Sequence, residues 1–342
     1  MKNKILARLS DADDFVSGQQ LCDEFGVSRT AVWKAVNRLK KEGYIIESVT
    51  NRGYRLKAGC DILSESEISR FLNTDMIGNK VVVYDECDST NSCVARDSQT
   101  ETEEGLVVVA NRQTAGKGRR GRVWESPAGT SVYMSMLLRP KLPPGPAPQL
   151  TLVTGLAVSD AIDELIRENS SEDAKRQQAV NPDDLKTRIK WPNDIVMGGK
   201  KICGILTELD CQIDFINNIV VGIGINVSGT TFPEDIADKA GSIFSVAGVS
   251  VNRNRLVAAV CNRFEEYYKI FVKTGTIEEL VGKYDDKLIN KDCEVRVLDP
   301  KGEYNGVAKG IDTDGRLIVE TANGTEYVSS GEVSVRGLYG YV

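Results

Sequence analysis

The sequence predicts an α+β chain of three parts. Three observations carry this: short helices closed by glycines ahead of a basic hairpin, a long stretch in which strands and helices alternate, and a tail without helical periodicity, punctuated by Asp-Gly and Asn-Gly pairs. The expected divisions are 1–58, 60–288 and 290–342. In the first, Ser17 followed by Gln20 forms a capping box, and Leu21 and Phe25 at i and i+4 give one apolar stripe before Gly26 ends the helix. Ser28 caps a second helix in which Val32, Val36 and Leu39 face inward, Arg29, Thr30, Lys34, Arg38 and Lys41 face out, and Gly43 is the stop. A further helix over 4–9 and a hairpin over 45–56, turning at Asn51-Arg52-Gly53 and carrying Arg52 and Arg55, complete a winged helix-turn-helix.

In the second part, β-branched or alternating runs predict strands over 80–84, 106–110, 131–138, 189–191, 202–209 and 219–227. Helical apolar spacing predicts helices over 150–166 and 256–271, packed on a mixed sheet. The Pro-rich 139–149 and the polar 168–184 read as irregular, the latter as a surface insertion with no assigned role. The tail reads as strands over 293–298, 304–311, 317–321, 325–328 and 333–336, joined at Pro300-Lys301-Gly302, Asp314-Gly315 and Asn323-Gly324: a small SH3-like β-barrel.

Composition narrows the chemistry. No apolar run reaches membrane length, so a cytoplasmic protein without a membrane partner is expected. The eight cysteines form no C-x-x-C pair, which makes reduced structural thiols the expectation. There is no histidine, which excludes an imidazole base, a histidine metal ligand and a Ser-His-Asp triad. Any metal is then held by oxygen, favouring magnesium carried in with a nucleotide. Residues 1–58 hold eleven Lys/Arg against seven Asp/Glu, a local +4 in a chain of net charge −6. That asymmetry points to nucleic acid, with Ser28, Arg29, Thr30 and Lys34 of the second helix and Arg52 of the wing as DNA contacts. A helical domain for protein contact is the alternative.

Four clusters carry the remaining chemistry. Residues 113–124 pack Gly116, Gly118 and Gly121 among Lys117, Arg119, Arg120 and Arg122, a flexible cationic loop suited to carboxylate and phosphate oxygens. On charge alone it equally fits a solvated nucleic-acid patch, but it is threaded between two expected strands. Asp88-Ser89-Thr90-Asn91 offers hydroxyl and amide groups for a neutral polar ring, or a helix N-cap, or both. Lys190-Trp191-Pro192-Asn193-Asp194 sets a cation beside an amide and a carboxylate, and by itself reads as a turn. Gly222 to Asn226 ends an apolar strand with two glycines and an amide, a pattern shared with a β-bulge or a crowded backbone crossing.

Taken in order, and with Lys201-Ile202-Cys203-Gly204-Ile205-Leu206 between the last two, these motifs resemble the biotin-protein ligase family, in its long form with an N-terminal DNA-binding domain, the biotin repressor type. The resemblance spans nearly the whole chain. It implies a catalytic domain of the class II synthetase/biotin-lipoate ligase type, with biotin and ATP with Mg2+ as substrates and biotinyl-5'-AMP as intermediate. It implies a biotin carboxyl carrier protein and operator DNA as partners, and a homodimer when the adenylate is bound. Residue by residue, it implies that Ser89, Thr90, Asn91 and Gln113 hold the ureido ring while Lys117, Gly118, Gly204, Leu206 and Gly222 line the biotin pocket. Arg119 and Arg122 would clamp the phosphates and the carboxylate, with Lys201 at the reacting carboxyl. Trp124 and Asn226 would border the nucleotide, and Lys190, Asn193 and Asp194 would face the phosphates, with Asp194 as the magnesium contact. The family usually has arginine where this chain has Lys117, so a backbone role is expected there. Two other readings are a lipoate-type ligase on the same fold and a catalytically silent, metabolite-sensing transcription factor.

Overall fold

The computed structural model describes residues 1–342 except 11, 13, 42, 43, 45, 51, 57–60, 101–102, 170–184, 300–301, 332 and 338–342. The expected roles of Gly43 and Asn51, the outward placement of Lys41, the turn at Pro300-Lys301, the boundary at 58–60 and most of the 168–184 insertion lie outside the described residues.

The N-terminal helices are α1 (Lys2–Ser10), α2 (Gly18–Phe25) and α3 (Arg29–Lys41), followed by β1 (Ile46–Val49) and β2 (Gly53–Leu56). The capping box forms: Ser17 Oγ accepts from the Gln20 amide while Gln20 Oε1 accepts from Ser17 N, and Gly26 closes α2 at φ 63°. Ile5, Leu6, Leu9, Leu21, Val32, Val36 and Leu39 meet in a core of their own. Gly53 cannot be replaced without strain, because at φ 110° a Cβ would lie 2.1 Å from the Val16 carbonyl that pins the wing.

The central part contains α4 (Glu65–Phe71), β3 (Lys80–Tyr84), α5 (Thr90–Asp97), β4 (Leu106–Ala110), β5 (Ser131–Leu138), α6 (Leu150–Asn169), β6 (Arg188–Lys190), β7 (Asp194–Met197), β8 (Lys200–Cys211), β9 (Ile216–Asn226), α7 (Ile243–Ala247), α8 (Arg253–Thr274) and α9 (Val281–Lys287). Its sheet runs β3-β4-β5-β9-β8-β7-β6, with β3 and β4 parallel and the other pairs antiparallel. The period of two decides which face holds what. Val107 and Val109 of β4 join the main core with α6 and α8, whereas Leu106 and Val108 join a smaller cluster beneath α5. Ser135 shares the α5 face with Leu137, so a buried polar group stands among these apolar neighbours.

The expected strands and both long helices are present. Helices α4, α7 and α9 and strand β7 were not expected, whereas α5 begins at the cluster read as a helix N-cap. The turn read at 190–194 is the junction of β6 and β7, and Asp194 opens a strand rather than ending a turn. Glu168 and Asn169 belong to α6, not to the insertion.

The tail forms β10 (Glu294–Asp299), β11 (Gly302–Ile311), β12 (Leu317–Thr321), β13 (Gly324–Val328) and β14 (Ser334–Gly337), an antiparallel sheet in the order β13-β12-β11-β10-β14. Its inward residues Val295, Val297, Leu317 and Val319 continue the main core rather than forming a separate one. Trp191 Nε1 donates to the Gly315 carbonyl across this junction at 3.1 Å.

Candidate active site

A cavity of about 60 Å³ opens where the start of α5, the 113–124 loop and strands β8 and β9 converge. Its floor is bare sheet. Gly204 and Gly224 are register partners across β8 and β9, and the Trp124 indole lies on them so closely that a Cβ at either would come within 2.8 Å or 2.6 Å of the ring. Gly222 lies next to Asn91 in the same way, its Cβ position being 2.1 Å from Asn91 Oδ1. The two glycines of 222–226 thus serve close approach, not a bulge.

One end of the cavity is neutral and polar. Ser89 holds the N-cap position of α5 without making a side-chain cap bond. Gln113 Oε1 accepts from Thr90 N at 2.8 Å, and Gln113 Nε2 donates to Ser126 Oγ at 3.0 Å. The other end is cationic. Lys201 Nζ lies 2.5 Å from Asp194 Oδ1 and 5.3 Å above the Trp124 ring. Arg119 donates to Asn193 Oδ1 at 2.8 Å and to the carbonyls of Ser330 and Gly331 at 2.7 Å each. Burial pulls its pKa down, with the Asp194 carboxylate opposing. The loop between them is a small turn of its own, closed by Gly118 N to Arg122 O and Trp124 N to Gly116 O, with Arg120 in the left-handed region at φ 59°.

Of the residues singled out from sequence, Ser89, Thr90, Asn91, Gln113, Lys117, Gly118, Arg119, Trp124, Asn193, Lys201, Gly204, Leu206 and Gly222 line the cavity. Arg122, Lys190, Asp194 and Asn226 do not. Arg122 is exposed, Asn226 donates to the Gly241 carbonyl, and Asp194 sits behind Lys201 as its counter-ion. Ile205, Ile223 and Gly224, which lie within the 201–206 and 222–226 motifs but were given no role of their own, also line the wall, and the sequence reading missed Glu208 beside it. Glu208 Oε2 accepts from Asn91 Nδ2 at 2.6 Å.

Three family models match this chain: the biotin/lipoate A/B protein ligase family over 83–226, an HTH domain over 2–55 and a biotin protein ligase C-terminal domain over 293–336. The bifunctional ligase/repressor BirA of Bacillus subtilis is 37% identical over 326 residues, covering 94% of each chain. The chain belongs to the biotin protein ligase family. BirA of Escherichia coli K12 is 30% identical over 97% of this chain and 96% of its own. The biotin protein ligase of Aquifex aeolicus, solved in complex with biotin and ATP, superposes with a TM-score of 0.62 at 31% identity, covering 76% of this chain and 99% of that one.

Within this ligase fold Lys190 carries an electrostatic cost. It is only 6% exposed, and burial pulls its pKa from 10.5 to about 8, Asp194 opposing. A cation depressed in the folded state binds its proton less tightly there than in the unfolded chain, so stability rises with pH between about 8 and 10.5. Urea unfolding across that window is expected to show wild type gaining about 3 kcal/mol on Lys190→Met. Parallel pH profiles for the two would remove the burial argument.

The second surface lies on α3. Arg29, Thr30, Trp33 and Lys34 form one exposed stripe, and Ser28 Oγ accepts from the Ala31 amide. Trp33, 57% exposed, was not anticipated. Arg52, in the turn that joins β1 and β2, is held by Asp14 at 3.3 Å and lies over the Phe15 ring at 4.6 Å. Among the described residues no helix is long and apolar enough to cross a membrane.

Proposed function

We propose that this chain activates biotin with ATP, forming biotinyl-5'-AMP and pyrophosphate, and then transfers the biotinyl group to a lysine of a biotin carboxyl carrier protein. It also represses transcription, with the adenylate as co-repressor. The observation that carries the ligase reading is the polarity of the cavity: a neutral hydrogen-bonding end at Thr90 and Gln113, a glycine floor under Trp124, and Lys201 with Arg119 at the far end. That sequence suits a ureido ring, an apolar body and a carboxylate. The B. subtilis and E. coli relatives bear the name ligase/repressor, and the A. aeolicus enzyme holds biotin and ATP.

In the first step a carboxylate oxygen of biotin attacks the α-phosphorus and the bond to pyrophosphate breaks. Two anions must approach, so the contribution required is cationic stabilisation rather than a base. Lys201 neutralises the reacting carboxyl, Arg119 and Arg122 the phosphates, and Lys190 adds a further cation behind them. ATP would enter as its magnesium complex, and Asp194, the counter-ion of Lys201, would be the carboxylate that holds the metal, which would offset phosphate charge. In the second step the acceptor amine attacks the acyl carbon and AMP leaves. Trp124 and Asn226 border the nucleotide, Asn193 faces the phosphates, and Lys117 and Gly118 line the biotin pocket through their backbone.

The α3 stripe reads operator DNA, Arg52 supports it from the wing, and the adenylate-bound chain dimerises onto a two-fold site. The setting is cytoplasmic, in keeping with the seven free thiols among the described residues. Incubation with biotin, α-labelled ATP and magnesium is expected to yield a retained biotinyl-adenylate that discharges to a carrier domain. Operator retention is expected to require biotin plus ATP. No adenylate with biotin but one with lipoate would move the reading to a lipoate-type ligase, and none with either would leave a sensor.

A further inference from the structure

At the neutral end of the cavity a chain of hydrogen bonds runs from Glu208 to Thr90 in the cavity wall. Glu208 of β8 accepts from Asn91 Nδ2 at 2.6 Å, and the Leu206 carbonyl lies a long 3.5 Å from the same nitrogen. Asn91 Oδ1 then faces Ser135 Oγ at 2.6 Å, and Ser135 Oγ also lies 2.7 Å from Thr90 Oγ1. Asn91 is 4% exposed, Thr90 3% and Ser135 not at all, so water does not complete the chain. Ser135 has one proton for two acceptors.

We propose that Glu208 is a positioning residue that fixes the polarity of the Thr90 hydroxyl toward the ligand ring. A carboxylate only accepts, and its short, charge-assisted bond obliges Asn91 to turn its NH2 group outward and its oxygen toward Ser135. The amide oxygen takes the Ser135 proton. Thr90 Oγ1 then receives nothing from Ser135, and its own proton goes to Ser135 Oγ or to Gln113 Oε1, 3.2 Å away. Either way Thr90 presents a lone pair to the cavity, the partner that a ring N–H requires. In Glu208→Gln the neutral amide can donate to Asn91 Oδ1. With Asn91 turned over, Ser135 donates to one Thr90 lone pair and no longer accepts from it, so only Gln113 Oε1 at 3.2 Å holds the Thr90 proton away from the cavity and the lone pair facing the ring is no longer fixed. This rests on biotin being the ligand.

The test measures KM and kcat for adenylate formation with biotin and with two cyclic carbamates, each replacing one ring N–H by oxygen. For wild type, one carbamate is expected to show a KM at least tenfold above that of biotin. Glu208→Gln raises KM for biotin about tenfold, equivalent to about 1.4 kcal/mol, leaves kcat within twofold, and brings that carbamate and biotin to similar KM values. Ser135→Ala removes the proton choice, so adding Glu208→Gln to it changes KM less than twofold. If Glu208→Gln retains the wild-type preference, or acts at full size in the Ser135→Ala background, the proposal is overturned. Absence of any turnover of biotin by wild type overturns the ligase reading itself, a distinct result.

Discussion

Lys201→Ala is expected to lower the rate of adenylate formation by about 10²–10³, the usual loss for one preorganised group facing developing charge. The ammonium lies 2.5 Å from Asp194 and above Trp124, and a Cβ at Gly204 would sit 3.2 Å from both its Cε and Nζ. It is therefore held over the bare strand at the edge of the cavity rather than free in solvent. Its removal has a second consequence, because the Asp194 carboxylate then faces the incoming phosphates without its cation. Lys201→Arg, which returns a cation beside Asp194, should accordingly recover part of the loss. Single-turnover pyrophosphate release measures both variants. A Lys201→Ala rate within fivefold of wild type would mean that the ammonium serves the fold and not the reaction.

The parts legible in the sequence were those whose information is local. The Ser17–Gln20 box, the glycine stop at Gly26 and the alternating strands each depend on residues within one turn or one strand. Helix α5 was hidden because eight residues carry little periodicity, although its N-cap cluster was visible. Strand β7 has four residues between a proline turn and Gly198-Gly199, too short to separate from its neighbours. Motif order located most of the cavity wall. It could not find Glu208, whose partner Asn91 is 117 positions away, or the anchoring of Arg119 by carbonyls at 330 and 331. Those contacts exist only once β8 lies beside α5 and the C-terminal sheet packs against the catalytic core. Nor could charge counting anticipate that Lys190 would be buried beside Asp194.

Gly222→Ala is expected to cost far more than an ordinary glycine substitution. The new methyl would stand 2.1 Å from Asn91 Oδ1 and within 2.9 Å of its Cγ and Nδ2. Asn91 has no room to yield, since Glu208 and Ser135 hold both ends of its amide and it is buried at the start of α5. Gly222 itself is fixed between Ser135 of β5 and Leu206 of β8 in the middle of the sheet. Relief must then come from displacing the first turn of α5, which carries Ser89 and Thr90 into the cavity. A stability loss of about 1–3 kcal/mol is expected from the overpacking, with biotin affinity falling at least tenfold beyond it. Gly282→Ala in α9 is the control, because a Cβ there meets nothing within 4 Å. In the first turn of a short helix it should change stability by less than about 0.5 kcal/mol. Thermal unfolding with and without biotin reads both effects. A Gly222→Ala protein that is as stable as wild type and equally stabilised by biotin would show that α5 is not held against β9 as the geometry requires.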